Sequence, residues 1–181
     1  MTVTPELREA MLAAIPSLRA FAISLTNNVD AADDLVQDAI LRAWANIDRF
    51  QPGTNLNAWL FTILRNGFYS RFRKARREIA DPDGTFASRL VTLPEQGARC
   101  DFEDLRTALA KLSVEYREAL ILIGAEGLSY EEAAQVCGVA VGTIKSRVHR
   151  ARERLGQLLA IHGAEDLGPD RMTQAALQSA F

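Results

Sequence analysis

Apolar residues recur every three or four positions along almost the whole chain, and no segment alternates convincingly at period two. That pattern predicts an all-α protein. Thr4 before Pro5 marks a helix start, with proline at the first helical position where its missing N–H costs nothing. Leu7, Met11 and Leu12 form a short stripe up to Pro16. Leu18, Phe21, Ala22 and Leu25 continue on a second helix that ends near Asn27-Asn28. Asp30 is the expected cap of a third helix carrying Leu35, Ala39, Leu41 (or Arg42) and Trp44, with acids in its first turns where the helix dipole favours them. The segment Gln51-Pro52-Gly53-Thr54 reads as a turn. Asn55 or Asn57 then caps a helix carrying Trp59, Leu60, Ile63 and Leu64, with Trp59, Phe61 and Leu64 assigned to the core.

From Glu78 to about Cys100 the periodicity dissolves, with Asp81-Pro82-Asp83-Gly84, Pro94 and Gly97 as breakers. A structureless stretch of roughly twenty residues is uncommon inside one compact domain, so it is expected to be a flexible linker. Asp81-x-Asp83-Gly84 has the opening of a calcium loop but lacks the remaining ligands and the terminal Glu; turn chemistry accounts for it. Helical spacing resumes with Phe102, Leu105, Leu109 and Leu112. Ser113 caps a helix through Tyr116, Leu120 and Ile123 that ends at Gly124 or Gly127. The expected organisation is a helical domain over 1–78, a linker over 79–100, a second helical domain over 101–160 and a tail over 161–181. Within the tail, Met172, Ala175, Ala176 and Leu177 form either a short amphipathic helix or part of a disordered end.

The most informative segment follows. Ser129-Tyr130-Glu131-Glu132 is a capping box, in which the serine caps the helix and Glu132 reaches back. Ala133, Ala134 and Val136 keep that helix thin enough for steep, close packing. Gly138 stops it, being able to turn through a left-handed conformation, and Val139 plugs the corner. A second helix restarts at Val141-Gly142-Thr143, with Ile144, Val148, Ala151 and Leu155 on an inward face. Its opposite face shows Ser146, His149 and Arg150, flanked by Thr143, Lys145 and Arg147. An apolar back and a front of donors at the N-terminal end are what a DNA recognition helix requires.

Charge sharpens this picture. The net charge is −2, but residues 65 to 77 hold Arg65, Arg71, Arg73, Lys74, Arg76 and Arg77 with no acid. Residues 145 to 154 hold five bases against Glu153, while residues 30 to 38 hold Asp30, Asp33, Asp34 and Asp38 with no base. Two basic blocks and one acidic block predict nucleic acid at two places and another partner elsewhere. Cys100 and Cys137 stand outside any C-x-x-C pattern, which argues against a disulfide scaffold and gives no zinc site. Apolar runs such as Ala119 to Ile123 are far short of the ~20 residues of a membrane span, and no signal peptide is evident; the protein is expected in the cytoplasm, without a membrane partner. No triad, carboxylate pair or phosphate-cradling glycine loop suggests an enzyme, a metal or a cofactor.

Three segments carry a resemblance. EGLSYEEAAQVCGVAVGTIKSRVHRARERL, residues 126 to 155, resembles the DNA-binding region of the sigma-4 domain in extracytoplasmic-function (ECF) sigma factors. DAADDLVQDAILRAW, residues 30 to 44, resembles the part of the sigma-2 domain that docks on the β′ clamp helices of RNA polymerase. NAWLFTILRNGFYSRFRK, residues 57 to 74, is similar to the strand-opening, −10 reading part of that domain, especially in the alphaproteobacterial general-stress EcfG type. The resemblance implies two small helical domains joined by a flexible linker. It implies that core RNA polymerase (β′ clamp helices and β flap), promoter DNA and a small anti-sigma protein of the NepR type are the partners. It further implies a GGAAC-like −35 element and a CGTT-like −10 element.

Residue roles follow from the same resemblance. Asp33, Asp34, Leu35, Gln37 and Asp38 correspond to the polymerase-binding surface. Asn66 lies where the family places a residue of the loop that captures an extruded −10 base, a step costing a few kcal/mol of unstacking. Phe68 and Tyr69 either stack on unpaired bases or pack; Arg65, Arg71, Arg73 and Lys74 bind phosphates. Lys145, Ser146 and Arg150 are expected to contact −35 bases, and Thr143 and Arg147 to anchor phosphates. Two rivals remain on sequence alone. One is a sigma-like decoy that sequesters the anti-sigma factor, and the other is a helix-turn-helix repressor with a sensor domain.

Overall fold

The computed structural model describes residues 4–78 and 101–159, and every regular element among them is helical. The Cys100 thiol, the Asp81–Gly84 turn, the linker and the tail all lie outside the described residues.

The first half holds α1 (Pro5–Ala13), α2 (Ile15–Thr26), α3 (Val29–Ala45), a single 3₁₀ turn at Ile47–Arg49 and α4 (Leu56–Glu78). Thr4 Oγ1 accepts from Leu7 N, which caps α1. Only Ala14 separates α1 from α2, and Pro16 sits harmlessly in the first turn of α2. Pro5–Thr26 taken together has the length and mean hydropathy (1.2) to cross a membrane. Here Leu18, Phe21, Ala22 and Leu25 spend their apolar surface on the protein core instead. Asn27 ends α2 in the left-handed conformation at φ 51°, which asparagine tolerates better than most residues. Asn28 then caps α3, its Oδ1 accepting from Ala31 N at 2.9 Å. The cap expected at Asp30 is therefore two residues too late: Asp30 lies inside the first turn, contributing charge to the helix N-terminus. Of the two candidates for the α4 cap, Asn55 is used, accepting from Ala58 N.

The core of this half is centred on Phe21 and Phe61, whose rings meet edge to face at 5.1 Å. Leu35, Ala39, Leu60 and Leu64 close around them. Trp59 is half-buried against Phe50 at the margin.

The second half holds α5 (Asp101–Ala110), α6 (Val114–Gly124), α7 (Tyr130–Cys137) and α8 (Val141–Leu158). Ser113 caps α6, accepting from Tyr116 N. Leu122, Ala133, Val136, Ile144, Val148 and Ala151 are buried between α6, α7 and α8. Cys137 is buried among them, and burial pushes its thiol pKa up to about 11, so it behaves as an inert packing group.

The two halves are docked on one another. α6 lies against α2 and α7 against α4, and a single apolar cluster runs through both halves.

Candidate nucleic-acid and polymerase interface

The capping box forms as the sequence requires. Ser129 Oγ accepts from Glu132 N at 3.1 Å, and Glu132 Oε2 accepts from Ser129 N at 2.8 Å. Those bonds hold the Glu132 carboxyl below the usual carboxylate range, the backbone bond from Ser129 contributing most. Gly138 turns the chain at φ 65°, and Val139 N closes the turn on Ala134 O. α8 then starts at Val141 with Ala140 as its N-cap, and no side chain caps it. Its first N–H groups and positive dipole end are left for an anion, which suits a DNA phosphate.

Ile144, Val148 and Ala151 bury the back of α8, which fixes its angle against α6 and α7. Thr143, Lys145, Ser146, His149 and Arg150 form an exposed front. Lys145 Nζ lies 5.7 Å over the ring of Tyr130, and His149 Nε2 is 3.7 Å from Glu153 one turn on. Arg147 is the exception among the expected contacts. It is half-buried, and its Nη1 is buried without a hydrogen-bond partner.

The second basic surface lies on α4. The first turns of this helix carry Leu60, Phe61, Leu64 and Gly67 into the core, and the last turns leave the body with Ser70, Arg71, Phe72, Arg73 and Lys74 exposed. Phe68 meets Tyr69 edge to face at 5.2 Å and stacks on Phe72 at 6.5 Å. The sequence reading missed Phe72. It is 48% exposed, an aromatic on a basic face, and its signal was its place four residues beyond Phe68. Asn66 is exposed but lies within α4, so the expectation of a loop at this position is corrected: the residue is presented by a helix. Arg65 is not free. Its guanidinium covers the Tyr69 ring at 4.5 Å, and its Nε donates to Glu118 Oε1 at 3.0 Å.

The acidic block on α3 divides in two. Asp33, Asp34 and Gln37 are exposed, and Asp38 is half-exposed. Arg19 grips Asp33 with Nε at 2.6 Å and Nη2 at 3.2 Å, which lowers the Asp33 pKa. Arg71 reaches from α4 to Asp38 and to the Asp34 carbonyl. Leu35, by contrast, is 1% exposed and packs under α4. It lies beneath the surface that Asp33, Asp34 and Gln37 form.

A helix-turn-helix with a presented basic front, a second basic helix carrying aromatics and an acidic helix packed beside the latter define a two-part promoter-recognition protein. Comparison with known proteins agrees. The Sigma-70 region 2 family matches residues 11–78 and the Sigma-70, region 4 family matches residues 102–155. The ECF RNA polymerase sigma factor EcfG of Rhodopseudomonas palustris is 61% identical over 177 residues, covering 98% of both chains. SigW of Bacillus subtilis is 33% identical over 148 residues, covering 75% of this chain and 79% of its own. Among solved structures, the Bartonella quintana sigma factor RpoE in complex with the anti-sigma factor NepR superposes with a TM-score of 0.78 at 52% identity, covering 88% of this chain and all of that one. The chain belongs to the sigma-70 family, as an ECF sigma factor of the EcfG type. Promoter recognition and transcription initiation are accordingly its function.

Proposed function

We propose that the chain works as a stress-response sigma factor by reading two promoter elements from two helices of opposite halves. α8 enters the major groove at the −35 element, where Lys145, Ser146 and Arg150 contact bases and Thr143, with the uncapped helix N-terminus, holds phosphate. α4 serves the −10 element: Arg73, Lys74 and Arg65 bind the backbone, Asn66 contacts an extruded base, and the Phe68–Phe72 pair offers a stacking platform. Asp33, Asp34, Gln37 and Asp38 form the polymerase-facing surface of α3. Residues 1–78 and 101–160 are the two functional units, with 79–100 as their connection and 161–181 as an appended tail.

The observation that supports this reading most strongly is the exposed front of α8 combined with an N-terminus that no side chain caps. NepR, the partner in the Bartonella complex, is the type of anti-sigma protein expected to inhibit the chain. The chain itself contributes recognition rather than catalysis, and it acts with the polymerase in the cytoplasm. Run-off transcription with core polymerase on a GGAAC/CGTT promoter tests the proposal. Wild type gives promoter-dependent transcripts, and Arg150→Ala and Asp34→Ala each weaken them. No transcript from wild type would overturn it.

A further inference from the structure

The front of α8 does not hold its donors alike. Lys145 Nζ lies 5.7 Å from the centre of the Tyr130 ring, over its face. Tyr130 belongs to the other helix of the helix-turn-helix: it is the first residue of α7, directly after the Ser129 cap. No carboxylate among the described residues pairs with Lys145, so the ring is its partner. Both ends of the contact are anchored. The capping box fixes the backbone on either side of Tyr130, and the ring is half-buried against the apolar cluster. Ile144, fully buried, fixes α8 next to Lys145. Arg150, five residues on along the same exposed front, has no hydrogen bond or ion pair among the described residues.

We propose that Tyr130 is a positioning residue of the −35 reader, whose ring presents the Lys145 ammonium to a guanine edge and so sets discrimination at that base. This rests on the reading of Lys145 as a −35 base contact. A lysine is a point charge on a flexible four-carbon stem, and beside a duplex the nearest strong acceptors for it are phosphates. Left free, it would add affinity without sequence information. Holding the ammonium over a ring within about 6 Å removes much of that freedom before DNA arrives, which is how preorganisation turns a charge into a reader. The chemistry of the holder matters. A carboxylate in the same place would neutralise the lysine and take its donors. A ring attracts the cation through its quadrupole and leaves ammonium N–H donors for guanine O6 and N7. Arginine needs no such holder, because its planar fork matches the same two acceptors by itself. That difference matches the ring found at Lys145 and the untethered Arg150.

The test uses holoenzyme assembled from the full chain and core polymerase, with binding to fluorescent promoter fragments read by anisotropy. One fragment carries GGAAC, and in two others one guanine or the other is replaced by adenine. Lys145→Ala is expected to lose discrimination at one of the two guanines. Tyr130→Leu is expected to lose about two- to fivefold of the preference at that same guanine, the factor an exposed cation–π contact gives. Tyr130→Phe, which keeps the ring face, should retain the preference. In the Lys145→Ala background, Tyr130→Leu should change the preference no further. A Tyr130→Leu chain that bound all three fragments more weakly by one factor, with the preference intact, would show a merely structural role and overturn the proposal. If Tyr130→Leu does not fold, a fluorinated phenylalanine at position 130 keeps the shape of the ring and weakens its negative face. A preference equal to that of Tyr130→Phe would then overturn the proposal as surely. Lys145→Ala with both preferences intact would overturn the reading of Lys145 itself, and the proposal with it.

Discussion

A Cβ added to Gly67 on α4 would stand 3.3 Å from Cδ1 of Leu35 on α3, so the two helices cross at a spacing that glycine makes possible. Leu35 is sealed beneath that crossing. Gly67→Val therefore overpacks a closed site and is expected to cost about 1–3 kcal/mol, while Leu35→Ala opens a cavity and costs about 2–5 kcal/mol. Urea unfolding measures both. Leu35→Ala should lose stability without a matching loss of affinity for core polymerase once the fraction folded is taken into account.

Gly138 offers the opposite case. A Cβ there meets nothing within 4 Å, but φ is 65°. Gly138→Ala is expected to cost about 1–2 kcal/mol from backbone conformation alone. Gly138→Asn should cost less, because asparagine tolerates the left-handed region. Thermal unfolding of the two variants separates strain from crowding.

Glu132 gives a pH dependence of known sign. Its folded pKa lies below the usual glutamate range because the ionised form accepts from Ser129 and Asn55. The stability it contributes is fully present above the unfolded pKa and is lost as pH falls through the lowered folded pKa. The stability gap between wild type and Glu132→Ala should accordingly be constant near neutrality and narrow in acid. A gap that widened in acid would contradict the assignment.

The two kinds of DNA contact should respond differently to substitution. Arg150→Ala is expected to cost about 1–3 kcal/mol on the cognate −35 element and to relax discrimination there. Arg73→Ala should weaken binding to all sequences alike and reduce the salt slope by about 1. Titrations at several salt concentrations on matched and scrambled −35 duplexes distinguish the two patterns.

Local chemistry was legible in the sequence wherever one residue settles one geometry. Ser129 with Glu132, Gly138, and the Ile144–Val148–Ala151 back of α8 could be read directly, because caps, turns and helical stripes depend on neighbours a few residues away. Asn28 was passed over for Asp30 because both residue types cap helices, and only the backbone decides between them. The burial of Leu35 follows from helical periodicity, although the residue stands within an acidic stretch. Arg65 and Glu118 were not legible as partners at all. They are 53 residues apart, and Glu118 reads as an ordinary charged position on a short helix until α4 covers it. Contacts made by docking leave no local pattern.

The central claim is that α8 reads the −35 element and α4 the −10 element. Run-off transcription with core polymerase on three promoters, intact, −35-scrambled and −10-scrambled, tests it most directly with wild type, Arg150→Ala and Asn66→Ala. Arg150→Ala should lose preference for the intact −35 element while still rejecting a scrambled −10 element, and Asn66→Ala should do the reverse. If both variants lost both preferences together, or neither lost any, the assignment of one element to each helix would be contradicted.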